Sequence, residues 1–107
     1  MNTKWEETPY SVICIVVALC KDYGRRKKIL SRSDISTELR SRYIELNSAI
    51  EEELGKLEPL IAKNMIDDVG RGRGYNYSPS APYIAKNTYY KRRHSFILGV
   101  AENLRLV

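Results

Sequence analysis

Two cysteines and one histidine in 107 residues leave almost nothing from which to build a metal centre or a disulfide framework. A structural zinc site takes four ligands at workable spacing, so zinc is excluded and no cofactor is expected. Cys14 and Cys20 stand six residues apart in a helical pattern, which turns them about 240° from each other around the axis. They cannot bond to each other within that helix, and they read as small buried hydrophobes of a reduced, intracellular chain. Glutamine is absent, and phenylalanine and tryptophan occur once each against eight tyrosines. With the many Ile and Arg residues, this composition fits a thermophilic, archaeal or archaeal-viral source. Long apolar runs are missing too. The longest, VICIVVALC at 12 to 20, has nine residues, against the ~20 that a membrane span requires. Glu6 and Glu7 precede it where a signal peptide would be basic, so neither export nor a span is expected and the location reads as cytoplasmic.

A catalytic constellation is also lacking. Tyr90 and His94 share one helical face, but nucleic-acid cleavage by a tyrosine needs metal ligands or a ring of arginines that the spacing does not provide. The glycines of GRGRG at 70 to 74 open no helix and precede no phosphate-binding lysine, so they make no nucleotide loop. The chain reads as a non-enzyme.

What is present is an ordinary globular composition, 43% hydrophobic and 29% charged, with a net charge of +5. Residues 1 to 53 hold nine Lys and Arg against nine Asp and Glu, whereas residues 54 to 107 hold nine against four. The excess lies in the C-terminal half, which points to a polyanionic partner.

Caps and breakers divide the chain. Thr8-Pro9 starts a helix over about 9 to 23 that Gly24 closes in a left-handed cap. RRKK at 25 to 28 forms an exit loop, followed by a short strand at Ile29-Leu30. Ser31 and Asp34 cap a short second helix over about 32 to 42. Asn47-Ser48 opens a third, with Ile50, Leu54, Leu57 and Ile61 in a core-facing stripe, broken near 55 to 58 by Gly55 and Pro59. Residues 65 to 69 and 75 to 78 read as the strands of a β-hairpin with GRGRG at its tip. A final helix runs from about 83 to 105, with Gly99 a weak point.

This order resembles a winged helix-turn-helix domain, an α+β, mostly helical fold. Leu57, Leu60 and Asn64-Met65-Ile66 look like the passage from recognition helix to wing, and GRGRGYNYS is similar to the wing of PadR-like and MarR-like regulators. The overall size resembles that of small archaeal or archaeal-viral winged-helix proteins. The resemblance implies one domain over 1–107, with its core at about 9–80 and a dimerising C-terminal helix at about 83–105. It implies a transcriptional regulator that binds double-stranded DNA. Arg71 and Arg73 would lie at the minor groove, with Tyr75 and Tyr77 giving hydroxyls to phosphate. Asn47 and Ser48 would enter the major groove, and Lys56, Arg40 and Arg42 would reach backbone. Phe96, Ile97, Val100 and Leu104 would form the seam of a homodimer.

Two readings compete with this one. The carboxylates Glu51-Glu52-Glu53 on the third helix suit a protein–protein module with a basic partner, and the basic C-terminal half suits a non-sequence-specific architectural protein. Lys91-Arg92-Arg93-His94 is either a solvated helix face or a flanking phosphate contact.

Overall fold

The structure, a computed structural model, describes residues 3–107. Helix α1 covers Thr3–Glu7, α2 Tyr10–Lys21, α3 Tyr23–Leu30, α4 Thr37–Leu54, α5 Pro59–Gly70 and α6 Lys86–Asn103, with single 3-10 turns at Tyr75–Tyr77 and Ala81–Tyr83 between the last two. Among the described residues there is no strand. The winged-helix expectation is therefore overturned: the fold is all-helical and has no β-hairpin wing.

The reason lies in residues 59 to 74. Pro59 does not break a helix but begins one, at the first helical position, where its missing N–H leaves no bond unmade. Ile61, Met65 and Val69 then recur every fourth residue and all face the core, a helical period that continues through the residues 65 to 69 expected to form a strand. The glycine-arginine stretch ends this helix. Gly72 adopts φ +67°. Its N–H donates to the Val69 carbonyl at 3.1 Å, and the Arg73 N–H donates to that of Asp68 at 2.7 Å, the paired closure of a helix by a left-handed residue. What reads as a wing tip is a C-cap.

Other expectations shift for similar reasons. RRKK is helical, not a loop, and so are Ile29 and Leu30, because α3 runs through both. Gly24 lies in the first turn of α3 and does not close α2. Ser31 is the C-cap of α3, while Ser36 caps α4 by accepting from the Leu39 N–H at 3.1 Å. No breaker separates residues 37 and 54, so the expected second and third helices are one. Asn47 and Ser48 sit inside it. The break at Gly55 and the continuous final helix through Gly99 agree with the sequence.

Helix α2 packs against α5 and α6, α3 against α4, and α4 against α6. Val12, Val16 and Cys20 of α2 meet Ile50 of α4, the α5 stripe, and Phe96, Ile97, Val100 and Ala101 of α6 in one core. Gly70 fixes how closely α5 approaches α2, since a Cβ there would lie 2.9 Å from both Cα and N of Lys21. That neighbour is backbone and cannot swing aside. Gly70→Ala is accordingly expected to lower stability by about 1–3 kcal/mol through overpacking, read as a fall in the urea midpoint.

Candidate nucleic-acid interface

The segment following α5 is held from inside. Asp68, fully buried, accepts hydrogen bonds from the Ser78 hydroxyl at 2.5 Å, the Tyr89 hydroxyl at 2.8 Å and Arg73 Nε at 2.8 Å. Arg73 Nη2 also reaches Asp67 at 2.8 Å, and Arg93 Nη1 donates to the Arg73 carbonyl and, at 2.9 Å, to the Tyr89 hydroxyl. Burial, and then the Asp68 hydrogen bond, push the Tyr89 phenol above its ordinary range. The Tyr75 hydroxyl lies 2.9 Å from the Ala81 carbonyl and 2.7 Å from that of Ile84, and its N–H donates to the Tyr90 hydroxyl at 3.1 Å.

These bonds decide several of the expected DNA contacts. Arg73, with a side chain 22% exposed, and Tyr75 serve the fold. Asn47 is buried and accepts from Arg26 Nε at 2.7 Å, so it faces no groove. Arg40 donates to the Leu30 and Arg32 carbonyls at 3.0 and 2.6 Å and thereby closes the C-terminal end of α3. Lys56 is paired with Glu53 at 2.9 Å. Ser48 and Arg42 are exposed on α4, and Tyr77 is 81% exposed. Arg71 remains largely in solvent, paired with Asp67 at 2.9 Å. The expected dimer seam is likewise occupied: Phe96, Ile97 and Val100 lie in the monomer core, with Leu104 packed against it.

The acidic run also divides. Glu53 is buried and accepts from Lys56 and Asn103, Glu51 accepts from the Tyr23 hydroxyl, and Glu52 is exposed. A single acidic face for a basic partner is not assembled. The basic run on α6 separates in the same way. Arg92 pairs with Glu58 at 3.0 Å, Arg93 enters the Asp68 network, Lys91 is exposed, and His94 stacks on Trp5 with ring centroids 4.0 Å apart. Burial, then the neighbouring Arg93 charge, lowers the His94 pKa. Cys14 is exposed and Cys20 buried, so only one of the two is the buried hydrophobe expected. Burial pushes the Cys20 thiol up to about 12.

The cations that do converge are elsewhere. A cleft of about 520 Å³ between the α2–α3 corner and α5 is lined by Lys21, Tyr23, Gly24, Lys63, Asp67 and Arg71, with Cys20, Ile66 and Gly70 at its apolar side. Asp67 is its one carboxylate, and both Arg71 and Arg73 already bond to it. Lys21 and Lys63 are exposed and make no ion pair among the described residues. The basic surface continues along α3, where Lys27 and Lys28 follow Gly24 at i+3 and i+4 and so lie on its face. The space around Gly24 is open.

No family model matches the chain, and neither the curated proteins nor the solved structures yield a significant match. Among the described residues no group of His, Cys, Asp or Glu is arranged to hold a metal ion, and no helix is long and apolar enough to cross a membrane. Sequence reasoning found Arg71 but not Lys21, Lys63, Lys27 or Lys28. RRKK was visible as a basic cluster, but that one face of it continues a cleft built by α5 was not.

Proposed function

We propose that the protein binds double-stranded DNA by gripping its phosphate backbone in the Lys21–Lys63–Arg71 cleft and along the Lys27–Lys28 face of α3. The observation that carries this reading is the convergence of Lys21 from the end of α2 with Lys63 and Arg71 from α5 and its C-cap on one open cleft with a single, already shared carboxylate. Lys21 and Lys63 make no ion pair among the described residues, and one carboxylate does not balance the three cations, so a polyanion relieves their repulsion while releasing its own counterions. Lysines supply mobile point charges and Arg71 a forked donor, a set suited to phosphate oxygens in varied registers. Base reading has no comparable support, since the expected base-contacting Asn47 is buried. Backbone grip with weak sequence preference is thus the form of DNA binding favoured, closer to an architectural protein than to an operator-specific regulator.

The test compares two equal changes in net charge. Lys63→Glu with Arg71→Glu is expected to weaken binding of a random duplex by about 10²-fold at low salt, measured by fluorescence anisotropy. Lys86→Glu with Lys91→Glu, exposed on α6 outside the cleft, should change it only a few-fold. Equal losses in the two variants would remove the cleft from the mechanism.

A further inference from the structure

Helix α2 is apolar all round, yet this chain covers only one side of it. Val12, Val16 and Cys20 point into the core. On the opposite side Tyr10, Ser11, Cys14, Ile15 and Ala18 form a continuous exposed stripe at spacings of three and four, with Tyr10 78% and Ile15 44% exposed. The solvent face of a globular helix is ordinarily charged. No charged residue occurs between Glu7 and Lys21, so the stripe has the composition of a covered surface.

The ends of the stripe indicate what covers it. Exposed Glu6 and Glu7 precede it and exposed Lys21 follows it, so its two ends carry opposite charge. Parallel self-pairing would set like charge on like. Antiparallel pairing about a two-fold axis sets Glu7 of one copy beside Lys21 of the other and aligns the helix dipoles favourably. The midpoint of the stripe from Ser11 to Ala18 falls between Cys14 and Ile15. Ser11, Cys14 and Ala18 are small enough to let the helices approach toward the lower end of the usual ~8–10 Å range.

We infer that α2 is an isologous interface through which two copies of this chain pair antiparallel, with Cys14 and Ile15 beside the two-fold axis. The interface replaces the α6 seam, whose apolar residues are buried in the monomer. It shares Lys21 with the nucleic-acid cleft, and Ile15, which does not line that cleft, is the position that tests it separately.

Sedimentation velocity on the full chain over about 1 to 100 µM tests it. The wild type is expected to be dimeric at the upper end, and Ile15→Glu monomeric with an unchanged far-UV circular dichroism spectrum. Glu7→Lys alone should weaken the dimer about tenfold, as should Lys21→Glu alone, because each sets like charges together twice. The two combined should restore it, an outcome that non-specific apolar association does not produce. A short bismaleimide should link the dimer through Cys14 and fail with Cys14→Ser. A monomer throughout, a dimer indifferent to Ile15→Glu, absence of rescue in the double charge reversal, or a dimer that the bismaleimide does not link through Cys14 would each overturn the inference.

Discussion

Replacing Asp68 with alanine is expected to lower stability by about 3–5 kcal/mol, the range for removing one partner of a buried, hydrogen-bonded charge pair. The carboxylate is fully buried and is the acceptor for Ser78, Tyr89 and Arg73 at once. Its loss leaves the Ser78 and Tyr89 hydroxyls without their acceptor and one edge of the Arg73 guanidinium without its partner, and each donor left unpaired in the interior adds its own desolvation penalty. Small domains have only about 5–15 kcal/mol in total, and each kcal/mol shifts the melting temperature of a chain near this size by roughly 4–8 °C. Asp68→Ala should therefore melt at least about 12 °C below the wild type in a circular dichroism scan. Asp68→Asn, which keeps the volume but turns an amide donor toward existing donors, should fall between the two. Melting of Asp68→Ala within a few degrees of the wild type would mean that the segment from Arg71 to Tyr83 is held by something other than this carboxylate.

The second large effect is expected at Arg26. This side chain is 2% exposed. Its Nε donates to Asn47 Oδ1 at 2.7 Å, its Nη2 to the Leu19 carbonyl at 2.6 Å, and its Nη1 lies 3.5 Å from Asp22. It thereby joins the end of α2 to α3 and α4. Burial lowers its pKa, with Asp22 acting in the opposite direction, so desolvation of the guanidinium is offset by its partners. Arg26→Met keeps much of the apolar stem while leaving the buried Asn47 carbonyl and the Leu19 carbonyl without a donor. The expected cost is about 2–4 kcal/mol. Adding Asn47→Leu should recover part of it, because replacing both partners by apolar groups is far less costly than orphaning one. A double-mutant cycle in urea measures the coupling. Strictly additive changes would show that the two side chains do not depend on each other.

These two residues also show where the sequence was legible and where it was not. Helix α2, the break after Leu54 and the continuous α6 follow from local rules: a proline at a helix start, a glycine at a helix end, an uninterrupted apolar run. Asn47 defeats such rules, because its preference for helix caps is outweighed by a bond to an arginine 21 positions away. Pro59 is ambiguous by nature, since the same ring that breaks a helix in the middle is well placed at its start. Met65, Ile66 and Val69 beside a glycine-rich stretch suit a strand entering a turn as well as a helix reaching its cap, and the strand reading of residues 65 to 69 turns a helix cap into a wing. The arginines of GRGRG point to phosphate equally well in either fold, but only Arg71 remains in solvent to do so. Lys21 and Lys63 lie on different helices, and their proximity is a consequence of α5 packing on α2 at Gly70. No spacing rule could have paired them.

The most direct test of the central claim is the salt dependence of DNA binding by the unaltered protein, from anisotropy titrations of a random duplex of about 30 base pairs between about 50 and about 200 mM salt. Lys21, Lys27, Lys28, Lys63 and Arg71 acting together predict a slope of log affinity on log salt near −4.5, about −0.9 for each phosphate neutralised, and hence a loss of roughly 500-fold across that range. An affinity that hardly changes with salt, or no binding at the lower concentration, would contradict the phosphate-gripping cleft.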